Sequence, residues 1–231
     1  KNMSFFYDAE INTVLIVDKN GVAVYPKAYE GRTNTKQTWR ALTQKIETVE
    51  TAINSGVTSV DNGGKLAYVV EQANKNVPVS EITLNGVVDM MGSNLTVDKV
   101  SNNLTVSGGT IKNATAVEAK TTTGKTEEGQ DGVYNTALFP KVEGQLHLKN
   151  IVIENLNIKD TNASNAGLLV GTVAKNATLI IENVTIKNSK IIGHHNVGAL
   201  VGINYGTIKI VGKVTLENVE VQCVGGRVGQ L

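Results

Sequence analysis

With 231 residues the chain is long enough for one large domain, or a domain with a small attachment, and to bury a core unaided. Lys plus Arg (22) balance Asp plus Glu (21), which excludes the strongly basic surface a nucleic acid selects, and no apolar run approaches the ~18 residues that cross a bilayer. The single cysteine, Cys223, excludes an intrachain disulfide and a cysteine-based zinc site, and no residue set calls for a cofactor or a metal.

Val (31), Asn (25) and Thr (24) dominate, while aromatic residues make up 4% of the chain. Val and Thr favour strands, and Asn favours tight turns whose backbone enters the left-handed region, so the composition predicts a β-rich chain with many short turns. Lys1 opens the sequence with neither an initiator Met nor an apolar leader, so any targeting signal is expected to be absent or already removed.

In chain order, Thr13 to Tyr25 reads as two strands around Asn20-Gly21, a hairpin dipeptide in which both residues accept positive φ. Asp18, Lys19, Asn20 and Gly21 lack the further ligands of a calcium loop, and the hairpin explains them better. Trp39, Leu42, Ile46, Val49 and Ile53 recur at helical spacing and predict an amphipathic helix, capped by Asn34 or Thr35 and ended by Gly56. A second helix is expected from Gly64 to Asn74, with Leu66, Ala67, Val69, Val70 and Ala73 apolar. After Pro78 the texture changes to short strand-like pieces separated by Gly, Asn and Asp.

Internal repeats carry the strongest signal. Ten-residue segments beginning at Leu104, Leu146, Leu179 and Val214 superpose without gaps. Their first, third and eighth positions are always Leu, Val or Ile, as inward side chains of short strands require. The fifth column, Gly108, Asn150, Asn183 and Asn218, is expected to form a left-handed corner. In the tenth, Asn113, Asn155 and Asn188 are expected to hydrogen-bond along a stack, with Cys223 aligned to them as a buried, unreactive thiol. A second motif, Gly-x-Leu-Val-Gly, places Gly167 and Gly171 in step with Gly198 and Gly202, and Gly229 continues the series. Such a unit cannot bury its apolar side chains alone and must stack on its neighbours. The polar stretch between Ala114 and Thr136 reads as a long loop leaving one repeat.

The Gly-Leu-Leu-Val-Gly and Gly-Ala-Leu-Val-Gly pieces, with Asn204-Tyr-Gly206 and the Glu-Asn-Val strands, resemble the GLUG-type repeats of bacterial surface and secreted proteins. Residues 57–113, a short helix followed by Ile-Thr-Leu, Asn-Leu-Thr-Val and Leu-Thr-Val-Ser-Gly-Gly, resemble the capped start of pectin-lyase-like right-handed β-helices. The expected fold is therefore mainly β: an N-terminal hairpin-and-helix segment (residues 1–56), then a capping helix and a right-handed parallel β-helix (57–231). The resemblance implies an exported or cell-surface, adhesin-like binding or structural module. A glycan or a host or cell-surface protein is the expected partner, and a spacer in a larger surface protein is an alternative.

The same resemblance raises a second alternative, a polysaccharide lyase or glycoside hydrolase, which would need clustered carboxylates. Asp89, Asp98, Asp131 and Asp160 fall in different repeats or loops, and Glu154, Glu182 and Glu217 at solvent-facing strand positions, so no pair is set by spacing. Aromatic residues for sugar stacking are few beyond Tyr68: Tyr134, Phe139 and Tyr205. His194-His195 reads as a turn, since adjacent strand residues point oppositely. Gly124-Lys125-Thr126 lacks the glycine, strand and helix of a phosphate loop. The sequons at Asn2, Asn94, Asn103, Asn113, Asn162, Asn176 and Asn183 follow from a composition rich in Asn and Thr. The third Gly-x-Leu motif stops at Leu231, so the last repeat is expected to be incomplete, its open face covered by further chain or by a partner.

Overall fold

The computed structural model describes residues 4–41, 57–75, 79–95, 97–117, 134–162, 165–225 and 227–229. Strands β1 (Ser4–Asp8), β2 (Thr13–Val17), β3 (Ala23–Tyr25) and β4 (Trp39–Ala41) form an antiparallel sheet in the order β3-β2-β1-β4. The β2–β3 connection is the expected hairpin with a different turn. Only Gly21 has positive φ (77°), the Gly21 N–H bonds the Asp18 carbonyl, and the Asp18 carboxylate accepts the Asn20 and Val22 N–H groups. The aspartate side chain holds the turn, so Asn20 need not enter the left-handed region.

Trp39 begins a strand paired with β1, where the apolar spacing predicts a helix. Its indole stacks near Phe6 and donates to Asp8, contacts that outweigh local helical periodicity. Asn34, expected as a helix cap, instead accepts the Trp39 N–H. The rest of that helix, residues 42–56, lies outside the described residues.

Next come β5 (Val57–Val60) and helix α1 (Gly63–Ala73). Asn62 caps α1 by accepting the Lys65 N–H, and the helix starts at Gly63, one residue before the expected Gly64. Leu66, Val69, Val70 and Ala73 form its buried stripe and join the main core, and Tyr68 meets Phe5 edge-on at 5.4 Å. Gly63 lets the helix start approach Asp89, since a Cβ there would sit 2.7 Å from the Asp89 carbonyl oxygen.

Beyond the helix lie β6 (Glu81–Leu84), β7 (Val87–Asp89), β8 (Asn103–Ser107), β9 (Thr110–Lys112), β10 (Thr115–Val117), β11 (Asn135–Thr136), β12 (Phe139–Val142), β13 (Gln145–Glu154) and β14 (Asn157–Lys159). They are followed by β15 (Asn165–Gly167), β16 (Val170–Val173), β17 (Thr178–Gly193), β18 (Asn196–Gly198), β19 (Val201–Asn204), β20 (Thr207–Cys223) and β21 (Arg227–Gly229). The pairings recorded from β5 onward are parallel.

They build one large sheet, in which β8 and β9 stack on β13, β13 on β17 and β17 on β20, and two narrow ones, β11-β15-β18-β21 and β12-β16-β19. From β8 to β21 the chain visits the three sheets in the same order, and strands paired between successive visits lie about 4.8 Å apart.

The long strands bend without breaking, and single asparagines do it. In β13 the inward residues are Leu146 and Leu148, then Ile151 and Ile153; Asn150 stands between the pairs with φ 52°. One left-handed residue turns the chain and resets the two-residue alternation, so Leu148 and Ile151, three apart, both face the core. In β17 the device is used twice, at Asn183 (φ 50°) and Asn188 (φ 50°).

Candidate functional surface

Asparagine corners organise the large sheet. Asn183 donates its amide to Asn150 Oδ1 at 3.2 Å, Asn155 to Asn113 Oδ1 at 2.7 Å, and Asn218 to Asn188 Oδ1 at 2.9 Å. Asp89 heads the second column by accepting the Asn113 amide at 3.0 Å.

The sequence alignment misplaces one repeat. Val214 pairs with Val184, not with Leu179, and Leu179 pairs with Ile208. Asn218 therefore stacks on Asn188 and belongs to the column of Asn113 and Asn155. The column of Gly108, Asn150 and Asn183 is continued by Gly212 (φ 67°), whose missing Cβ would lie 2.1 Å from Asn183 Oδ1. Gly212 and Lys213 together oppose Asn183 in a bulge, and the Lys213 N–H donates to Asn183 Oδ1 at 3.1 Å. The arms ending in Asn183, Asn188 and Asn218 all read apolar-x-apolar-x-Asn, so a shift by one arm still superposes in sequence. By the same shift Cys223 pairs with Gly193; it is half-buried, its thiol 3.5 Å from the His194 carbonyl oxygen, and lies outside the asparagine column.

Gly167, Gly198 and Gly229 share one register column of the β15-β18-β21 sheet. Gly171 and Gly202 allow a close approach in the neighbouring sheet, since a Cβ at Gly202 would sit 2.7 Å from the Gly171 carbonyl oxygen. Sequence reasoning missed a third, interior ladder of Asn135, Asn165 and Asn196. Asn196 donates to Asn165 Oδ1 at 2.7 Å, and Asn165 donates to Thr172 Oγ1 at 3.0 Å. Its signal is in the sequence, because Asn165 and Asn196 each stand two residues before the first glycine of the Gly-x-Leu-Val-Gly motif.

The outward positions of the large sheet carry charge in register. Lys112, Glu154, Lys187 and Glu217 occupy one column, alternating in sign strand by strand, with Lys187 Nζ 3.8 Å from Glu154. Beside it Glu182 meets His147 Nε2 at 2.8 Å and Lys149 at 3.7 Å, and Glu220 meets Lys190 at 2.9 Å. Thr110, Val152, Thr185 and Thr215 lie on the same surface.

The acidic residues considered from the sequence are dispersed. Asp160 is buried and accepts the Thr136 hydroxyl at 2.5 Å, Asp89 ends a ladder, and Asp131 lies outside the described residues, as does Gly124-Lys125-Thr126. His194 and His195 form an exposed turn. Among the described residues no three His, Cys, Asp or Glu side chains gather where they could hold a metal, and no helix is long and apolar enough to cross a membrane.

Among the described residues two concave features stand out. A polar cleft of about 380 Å³ between Tyr25, Glu71, Lys75 and Asp98 lies where the antiparallel sheet meets α1, and burial together with Glu71 raises the Tyr25 phenol above its ordinary value. An apolar well of about 480 Å³ opens against β20.

Of known proteins, Halomucin from Haloquadratum walsbyi is similar: 39% identical over 88 residues, 38% of this chain. The match spans about 1% of the length of Halomucin. No family model and no solved structure matches the chain.

Proposed function

We propose that residues 57–231 wind as a right-handed parallel β-helix capped at its first turn by α1, and that the chain is an extracellular, cell-surface module of the adhesin kind. It acts by binding through the broad face of β8, β13, β17 and β20, without catalysis. The pairing of its surface carboxylates carries this reading. Glu154, Glu182 and Glu217 each stand in register with a Lys in the adjacent strand and none is stacked directly on a second carboxylate. Alternating charges with threonines beside them form a hydrogen-bonding surface suited to a polymer of hydroxyl groups or to a protein face. The similarity to Halomucin supports the cell-surface location.

A glycan array probed with the purified chain, run beside reducing-end and unsaturated-product assays on the glycans it binds, tests the proposal. Binding with no product formed is expected. Turnover of a bound polysaccharide would replace this reading with that of an enzyme, and no binding to any glycan or cell-surface protein would leave the chain a spacer.

A further inference from the structure

The polar cleft is built by three stretches of chain far apart in sequence. Tyr25, the last residue of β3, forms one wall, the end of α1 with Glu71, Asn74 and Lys75 a second, and residues 97–101, between β7 and β8, the third. Side-chain bonds fasten the second wall to the third. Asn74 donates its amide to the Lys99 carbonyl at 2.6 Å and accepts the Ser101 N–H at 3.0 Å, while the Asn102 amide donates to the Ala73 carbonyl at 2.8 Å. Val97, which also lines the cleft, belongs to the main core. Two of the walls are thus fixed in advance of any ligand, which lowers the cost of binding one.

The polar groups of the lining decide what fits. Both of its cations are already paired, Lys75 with Glu71 and Lys99 with Glu143 at 2.8 Å. Among the described residues the Tyr25 phenol, the Ser101 hydroxyl and the Asp98 carboxylate have no hydrogen bond or ion pair. Burial and the Glu71 carboxylate keep the phenol protonated, so it remains a donor. An anion would find no unpaired cation here and would be repelled by Asp98. An ammonium ion only donates and would leave the phenol and Lys75 unmatched. Neighbouring hydroxyl groups both donate and accept, so they can serve the carboxylate and the phenol together, with the Tyr25 ring and Val97 supplying apolar area. At about 380 Å³ the cleft lies near the lower end of ligand pockets, roughly 300–1,000 Å³, which suits one sugar ring better than a long oligosaccharide.

We infer that this cleft binds a single uncharged sugar residue, whose hydroxyls donate to Asp98 and accept from Tyr25 and Ser101. It is a second site that shares no residue with the broad face of β8, β13, β17 and β20, and it stands or falls independently of binding there.

The test titrates the intact chain with the methyl glycosides of glucose, galactose and mannose and follows the Val97 methyl signals by NMR. At least one glycoside is expected to shift them saturably. Tyr25→Phe and Asp98→Ala, which remove one hydrogen-bonding group each at partly or fully exposed positions, are each expected to weaken that binding about fivefold without lowering the melting temperature. A Lys187→Gln chain, altered on the broad face, is expected to bind as the parent does. Three outcomes would overturn the inference: no shift with any of the glycosides, equal binding by the parent and both cleft variants, or tighter binding of methyl glucuronide or methylammonium than of every neutral glycoside.

Discussion

Asn183 is the corner at which geometry and hydrogen bonding can be separated experimentally. Its backbone sits at φ 50°, its amide donates to Asn150 Oδ1, and its Oδ1 accepts the Lys213 N–H. Replacing it by Ala removes both side-chain bonds, worth roughly 0.5–1 kcal/mol each at a partly solvated site, and leaves a residue that pays about 1 kcal/mol for the left-handed region. Asn183→Ala should therefore cost about 2–3 kcal/mol. Asn183→Gly loses the same bonds but not the conformation, and should cost about 1–2 kcal/mol. At about 2–4 °C per kcal/mol for a chain of this size, the Ala variant should melt roughly 4–12 °C below the parent and the Gly variant between them. Thermal melts followed by circular dichroism give the order directly. Equal melting of the two variants would refute the left-handed corner, and no loss in either would refute the ladder.

Asn165→Ala should cost about 2–4 kcal/mol in urea titration, more than an exposed ladder member, because it removes a bond to buried Asn135, a bond to buried Thr172 and the bond from Asn196 at a largely solvent-free site. Gly206→Val should abolish soluble expression, since even a Cβ would meet the Ala174 and Ala177 carbonyl oxygens at 2.4 Å. Asp8 is fully buried; burial would raise its pKa, but hydrogen bonds from Arg32, Thr38, the Glu10 N–H and Trp39 hold it down to about 2. Its folded value lies below the unfolded one, so the stability it contributes is complete above about pH 4 and is lost as the pH falls toward 2; Asp8→Asn should flatten that acid limb of a pH-stability curve.

Much of this architecture was legible because its strongest features repeat. The alternation of Leu146, Leu148, Ile151 and Ile153, repeated by Leu179, Ile181, Val184 and Ile186, is written in the sequence at a period that stacking explains. The register of the fourth repeat was not legible. The arm ending in Asn183 and the arm ending in Asn218 have the same local pattern, and only Gly212, a lone glycine in a strand, marks the bulge that separates them. Trp39 was misread for a different reason: its strand depends on partners, Phe6 and Asp8, that are 33 and 31 residues away. The charge column was invisible until the register was known, since Lys112, Glu154, Lys187 and Glu217 are separated by unequal steps of 42, 33 and 30 residues.

Parallel stacking in this register underlies the ladders and the charged face alike, and spin labels test it most directly. In a Cys223→Ser background, labels at positions 185 and 215 should lie one strand spacing apart, because Thr185 pairs with Thr215, and should show strong spin–spin broadening. Labels at 180 and 215, neighbours only under the gapless alignment, should show much less. Broadening that is strong for 180 with 215 and weak for 185 with 215 would contradict the register, and weak broadening for both would contradict the stack itself.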